Sequence, residues 1–549
     1  MDVLIIGLDG ATFDIIRPLI QKGKLPHLRR LVETGTSASL RSTLPPVTAP
    51  AWSSFMTGTN PGKHGIFQWR TYDPTKYTCV DESVVTAARL VGTTFWDMLG
   101  SHGFKVGILT VPVTYPPWPV NGFMLSGYPC PDARKNYTYP SVYADSLSES
   151  YNFSADYYLG ASEEEIWSNG LEMLRKRTSL AMELISEENL DVCVLVLGEI
   201  DRAQHDFWKY RDPSFPAYHS EKGRTFRHVI AEHYEVSDAQ VGRLLELASE
   251  ETTVIVMSDH GAGPHPPTYF HTNSWLKSLG LLEMRPYRPD PFVGGLRRGL
   301  EIVRSRLPFE EQVRRMLPAG VVHRARRISL NISNVDWSRT KAYRFPMYHP
   351  VEGIEINLRG RQPQGIVEPG AEYEEVRDHI VGQLREAADP LTGIHIVEEV
   401  YKREDIYSGP YLEIAPDIVF VTSSRFRAER EIGQDYVVPV PLKQLETYNG
   451  LHQMDGIFIA RGRNIKAAST FEGAQIMDVA PTVLYAMGLP VPAEMDGRVL
   501  VDAFLPSHVE TRPPEYSDVP IQAQGADLSL SPEDERAMRD KLRGLGYLS

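Results

Sequence analysis

Three short apolar runs, each followed by a carboxylate, constrain this chain more than any other feature. Residues 3–8 (VLIIGL) run into Asp9-Gly10, residues 191–197 (DVCVLVL) into a segment holding Asp201 and His205, and residues 253–257 (TVIVM) into Ser258-Asp259-His260-Gly261. An unbroken apolar run of this length bounded by turn residues reads as a strand buried on both faces, the environment of a parallel sheet. Helical patterns at residues 13–21, 28–33, 163–187 and 226–248 separate the runs. This βα alternation predicts neighbouring strands in one sheet, whose carboxyl edge is where ligands collect. Asp9 alone is also an ordinary turn residue before Gly10. Asp201 and His205 alone are equally an N-cap and a surface histidine. Three strand ends repeating the same chemistry are not explained by turns.

A second stretch, residues 43–66 (TLPPVTAPAWSSFMTGTNPGKHGI), holds Thr48. Two prolines keep its approach extended, Thr48 is a favoured N-cap type, Pro50 fits the first turn, and Gly58 follows the last apolar turn. The Thr48 hydroxyl is therefore expected at the positive end of a short helix, where free N–H groups favour a phosphate-like anion. An isolated Thr-x-Pro would be no more than a helix cap. The acidic and histidine residues elsewhere give it a second meaning. Asp201 and His205, four apart, share one face if their segment is helical, and together suit a divalent metal with mixed ligands. His452, in Asn449-Gly450-Leu451-His452 before a strand at 456–460, is a further histidine beside a strand.

Composition narrows the partners. The 549 residues carry 57 basic and 71 acidic side chains, a net charge of −14 that does not attract duplex nucleic acid. An anionic substrate then needs local cations, from side chains or metals. Three cysteines, Cys79, Cys130 and Cys193, cannot build a full disulfide framework, which fits a reducing compartment. The first residues read as a strand and not a signal peptide, and no apolar run is long enough to span a membrane. A cytoplasmic location is expected.

Further strands are expected at 105–109, 353–358, 394–400 and 417–421, helices at 372–386 and 476–487, and an amphipathic helix at 532–545. After Gly263 the βα rhythm stops, and residues 285–327 hold eleven arginines against four acids. This segment is either a cap that recruits an anionic substrate or membrane surface, or a solvated arginine-faced helix pair. The expected organisation is a catalytic core from 1–263 and 351–505, an inserted cap or lid at 264–350, and a tail at 506–549.

In this order, LIIGLDG with Asp9, TAPAWSSFMTG with Thr48, PGKHGI, Asp201-x-x-x-His205, Asp259-His260-Gly261 and the late Gly-x-His ending at His452 resemble the alkaline phosphatase superfamily. The resemblance is to its type I phosphodiesterase/nucleotide pyrophosphatase branch. Residues 476–500 resemble the last helix and closing loop shared by phosphatases, sulfatases and cofactor-independent phosphoglycerate mutases. The resemblance implies a three-layer α/β/α sandwich with a mostly parallel sheet and an inserted cap. It also implies a site for two divalent ions. Asp201, His205 and His452 would hold one ion; Asp9, Asp259, His260 and the Thr48 oxygen would hold the other. Mixed Asp/His ligands suit zinc, and manganese tolerates the same carboxylates. The implied activity is hydrolysis of phosphodiester or pyrophosphate bonds in a small, nucleotide-like substrate through a phospho-threonine on Thr48.

Sulfatases of this superfamily need a Cys or Ser oxidised to an aldehyde, which Thr48 cannot supply, and Trp52 stands where their arginine would be. Residues 42–63 contain no arginine to hold a doubly charged monoester, which favours a diester. Ala51 stands where nucleotide pyrophosphatases carry an asparagine, leaving Lys63 or a lid arginine as the substitute donor. His64 is expected to be structural, and His265 and His271 flank a proline-rich turn at the lid entrance. Two rival readings keep the residues and change the role: a phosphomonoesterase, phosphonate hydrolase or phosphotransferase, or a metal-retaining scaffold without activity.

Overall fold

The computed structural model describes residues 1–73, 77–131, 137–147, 161–285, 334–447, 449–518, 528 and 530–544. The arginine-rich segment therefore lies, apart from Arg285, outside the described residues. At the centre is β1 (Val3–Leu8), whose side chains divide between two cores: Leu4, Ile6 and Leu8 on one face, Val3 and Ile5 on the other. An unbroken apolar run satisfies both faces at once, whereas an alternating one would leave a face polar.

The remaining strands of the large sheet are β2 (Thr36–Arg41), β3 (Val106–Leu109), β4 (Gly122–Leu125), β5 (Val192–Leu197) and β6 (Thr253–Met257). A separate strand, β7 (Gly261–Pro264), pairs with β8 (Gly450–Gln453), and β9 (Asp455–Arg461) returns to the large sheet. Among the described residues the sheet order is Ser469–Thr470, β2, β9, β6, β1, β5, β3, β4 and Thr138–Tyr139, with Ala474–Gln475 also on β2. The strands β6, β1, β5, β3 and β4 run parallel, while β9 is antiparallel to both β2 and β6.

Helices cover both faces. α1 (Phe13–Gln21) opens the first layer and α2 (Thr48–Thr57) the second. α3 (Glu163–Glu187), α4 (Glu199–Arg211) and α5 (Val229–Leu244) join α1, burying Leu184, Phe207 and Val241 with Ile15 and Ile16. α6 (Val479–Ala486) joins α2, burying Val483 with Trp52 and Phe55. This is a three-layer α/β/α sandwich. Beside it, a four-stranded antiparallel sheet (Ala342–Phe345, Val351–Ile356, Ile418–Thr422, Val397–Lys402) packs on the helix Ala371–Arg385 around Ile354, Ile380, Leu384 and Ile418. Near the C-terminus, the helix Pro532–Gly544 buries Met538 and Leu542 in the same core as α1 and α3. Among the described residues no helix is long and apolar enough to cross a membrane.

Registers explain how distant acids meet. Leu8 lies opposite Leu197 and Gly7 opposite Met257, so β1, β5 and β6 end at one level. Asp9, Asp201 and Asp259 then follow those ends by one, four and two residues.

Candidate metal centre

Asp9 leaves β1 into a tight turn. Gly10 there has φ of 69°, a conformation costly for any side chain, and a Cβ at this position would lie 2.9 Å from Asp201 Oδ1. The turn thus brings the backbone of one strand end against the carboxylate of the next. The Gly10 N–H donates to Asp259 Oδ1 at 3.3 Å, and the Gly10 carbonyl accepts from Gln204 Nε2 at 2.9 Å. Tyr234 donates to Gln204 Oε1 at 3.0 Å and accepts from the Thr12 N–H at 3.1 Å, which fixes the turn from beneath.

Asp201 lies in the first turn of α4, and His205 one turn on, with His205 Nε2 3.4 Å from Asp201 Oδ2. His452 reaches the same place from the far end of the chain, because β7 and β8 pair antiparallel with Ala262 opposite His452. Its ring stacks on His260 with centroids 3.7 Å apart. The ligand atoms of Asp9, Asp259 and His260 lie within 4.8 Å of one another, as do those of Asp201, His260 and His452. His205 joins the second group through His452, their Nε2 atoms being 3.0 Å apart.

The three imidazoles share one arrangement. His205 Nδ1 faces the Gly450 carbonyl at 2.7 Å, His452 Nδ1 the Pro46 carbonyl at 2.8 Å, and His260 Nδ1 the Gly261 carbonyl at 3.0 Å. A carbonyl only accepts, so each Nδ1 carries the proton and each Nε2 presents a lone pair inward. The buried oxygens Asp9 Oδ1, Asp201 Oδ1 and Asp259 Oδ2 and the nitrogen His260 Nε2 have no hydrogen-bond partner among the described residues. Burial, then Asp259 and Asp201, push Asp9 well above the usual carboxylate range. Burial also raises Asp259, against the pull of His260. In Asp201 burial acts upward but is outweighed by His205 and His452, which hold it below its usual value. Burial acts to lower His205, where Asp201 wins and raises it, whereas burial and His260 drive His452 well down. Unpaired carboxylate oxygens facing inward imidazole lone pairs are a donor set for divalent cations.

Thr48 is buried at the start of α2. It is the first helical residue and not the cap: Ala51 N–H donates to the Val47 carbonyl at 3.1 Å, which starts the helix one residue earlier. The helix docks on the acids at two points. Trp52 Nε1 donates to Asp9 Oδ2 at 3.1 Å, one turn beyond Thr48, and His452 binds Pro46 just ahead of it.

Several expected or neglected residues lie elsewhere. His64 is fully buried, accepting from the Ile66 N–H at 3.2 Å through Nδ1 and bonded to Ser54 Oγ at 3.0 Å through Nε2. Lys63 does not stand in for the missing asparagine, since its Nζ is held by the Glu494 carbonyl and Asp496 Oδ1, both at 2.7 Å. His265 is buried and bonded to Arg427, and His271 is buried at the end of the strand Thr268–His271. The sequence marks Trp52 only as the residue in place of a sulfatase arginine, and does not mark Gln204 or Tyr234. Helical spacing flags the first two: Trp52 is four residues after Thr48, and Gln204 three after Asp201.

A family model described as type I phosphodiesterase / nucleotide pyrophosphatase matches residues 3–455. No curated protein matches the sequence. Among solved structures, human ectonucleotide pyrophosphatase / phosphodiesterase 5 is 14% identical, with 93% of this chain and 99% of that chain covered and a TM-score of 0.47. The murine protein of the same name is 16% identical over 89% of this chain and 95% of that chain, with a TM-score of 0.45. Phosphonoacetate hydrolase from Sinorhizobium meliloti 1021 is 15% identical over 88% of this chain and 95% of that chain, with a TM-score of 0.50.

Proposed function

The chain belongs to the type I phosphodiesterase / nucleotide pyrophosphatase family, and from that premise we propose that it is a two-metal hydrolase acting through Thr48 on phosphodiester or pyrophosphate bonds. The observation that carries the proposal is the common orientation of three imidazoles, each with Nδ1 tied to a backbone carbonyl and Nε2 turned toward unpaired carboxylate oxygens. In this proposal Asp201, His205 and His452 hold one ion, and Asp9, Asp259 and His260 the other, with the Thr48 oxygen beside it. Zinc is the proposed ion on ligand type, with manganese as the alternative.

Bound divalent cations would supply polarisation of the phosphoryl oxygens, acidification of the Thr48 hydroxyl and neutralisation of the leaving oxygen. The chain supplies the rest. The N-terminus of α2 turns its first N–H groups and positive dipole end toward the phosphoryl oxygens. Thr48 Oγ1 forms a bond to phosphorus as the bond from phosphorus to the ester oxygen breaks, and the hydroxyl's proton passes through solvent to the departing oxygen. Water then attacks from the opposite side, breaking the Thr48–phosphorus bond and restoring the hydroxyl. Trp52 holds the Asp9 carboxylate through its indole N–H. The Nδ1 bonds keep each histidine in the tautomer that leaves Nε2 basic.

Thr48→Ala should lower turnover of a nitrophenyl diester by at least about a thousand-fold, with metal content unchanged by elemental analysis. Retained turnover would exclude Thr48 as nucleophile. The rate ratio on nitrophenyl monoester and diester, measured on metal-loaded protein, separates the proposed activity from the phosphomonoesterase and phosphonate-hydrolase alternatives. A cytoplasmic location forms part of the same proposal, supported by the buried free thiol of Cys193.

A further inference from the structure

A cavity of about 180 Å³ is bounded by Arg344, His349, Glu352, Arg427 and Glu429, with Arg70 also in its lining. It connects to the candidate metal centre through two short links. Arg427 Nη1 donates to His265 Nε2 at 2.9 Å, and His265 follows directly on β7, three residues beyond Ala262, the partner of His452. At a strand rise of about 3.3 Å per residue, His265 is roughly 10 Å along the chain from the level of His452.

The lining sets Arg70, Arg344 and Arg427 against Glu352 and Glu429. Glu352 is consumed locally: it pairs with Arg344 Nε at 2.7 Å and accepts the Met347 and Gly353 N–H groups at 3.1 and 3.2 Å. Glu429 faces Arg344, Arg427 and Arg430, which together outweigh its burial and hold its carboxyl low. Arg427 makes one side-chain hydrogen bond among the described residues, to His265, and a guanidinium has five N–H donors. Both ring nitrogens of His349 are buried without a partner among the described residues. Burial, with Arg427 and His265 close by, keeps that imidazole neutral, so it owns an N–H with nothing to accept it. In a chain of net charge −14, two under-used donors in the lining of one cavity are a feature that an anionic oxygen would satisfy.

We propose that this cavity is a subsite for a second anionic group, a phosphate or carboxylate, carried by the ester at a distance from its reacting phosphorus. The anion accepts from the Arg427 guanidinium and the His349 N–H. The inference rests on the hydrolase reading above and narrows its substrate class to phosphate esters with a distal negative charge.

The test compares 4-nitrophenyl phenyl phosphate with two analogues carrying a carboxylate, one on the phenyl arm and one on a longer biphenyl arm. Arg427→Met should lower kcat/KM at least about ten-fold for one or both carboxylated esters, mainly through KM, and stay within about two-fold on the plain ester. Arg427→Lys should recover part of the loss. Equal losses on all three esters, or no loss on any, would overturn the subsite. If the wild-type protein turns over none of them, the hydrolase reading fails separately. The subsite is then read by calorimetry on the full-length Thr48→Ala protein with carboxyphenyl, carboxybiphenylyl and unsubstituted phenyl phosphate. A carboxylate preference that disappears when Arg427→Met is added supports the subsite, and identical binding of all three overturns it.

Discussion

At the scale of single residues, hydrogen-bond geometry separates His64 from the candidate ligand histidines. His64 accepts from the Ile66 N–H and binds the Ser54 hydroxyl, so the loop after α2 occupies one nitrogen and α2 itself the other. Burial depresses it from 6.5 to about 3. The folded chain therefore refuses a proton that the unfolded chain accepts below pH 6.5, and stability falls as pH drops from there toward about 3. Between pH 6.5 and 5 the loss from this residue is about 2 kcal/mol. Urea midpoints at those two pH values should converge in His64→Gln relative to wild type, and an unchanged difference would assign the acid sensitivity elsewhere. The candidate ligands were legible because they are chemically distinctive and sit at strand ends. Trp52, Gln204 and Tyr234 were not, because an indole N–H, an amide and a phenol acquire meaning only from what they face.

At the scale of secondary-structure elements, strand ends and helices alternate in sequence and share one edge in space. The runs at 3–8 and 253–257 and the helices at 13–21 and 163–187 form with the expected bounds, since burial and helical period act locally. Gly122–Leu125 was not expected: its four residues are too few to show a period, and it becomes a strand by pairing with β3. The contact of α4 with β8 is equally invisible to local pattern. A Cβ on Gly450 would sit 2.1 Å from the Gln204 carbonyl oxygen, and the Gly450 carbonyl itself holds His205. Gly450→Ala must part the helix from the strand and release that imidazole. Metal affinity should fall by about 10–100-fold in a titration while far-UV circular dichroism is retained. Unaltered affinity would mean that His205 keeps its orientation without this contact.

At the scale of the whole molecule, the C-terminal helix Pro532–Gly544 closes the first core, with Met538 and Leu542 fully buried and Lys541 Nζ donating to the Cys130 carbonyl at 3.1 Å. Burying two such side chains contributes on the order of 3–6 kcal/mol. Deleting residues 532–549 should therefore lower the melting temperature by several degrees, about 3 °C or more, with metal content unchanged. An unshifted melting curve would show that the helix adds nothing to stability. The strand β9 has a different consequence. It lies between β2 and β6, antiparallel to both, although both are made long before it. The place between β2 and β6 can be filled only once residues 455–461 have been made, and β8, with His452, comes just ahead of that strand. The candidate centre therefore gains His452 only after Asp9, Asp201 and Asp259 have been made, and a product cut short between residues 260 and 452 carries those acids without that imidazole.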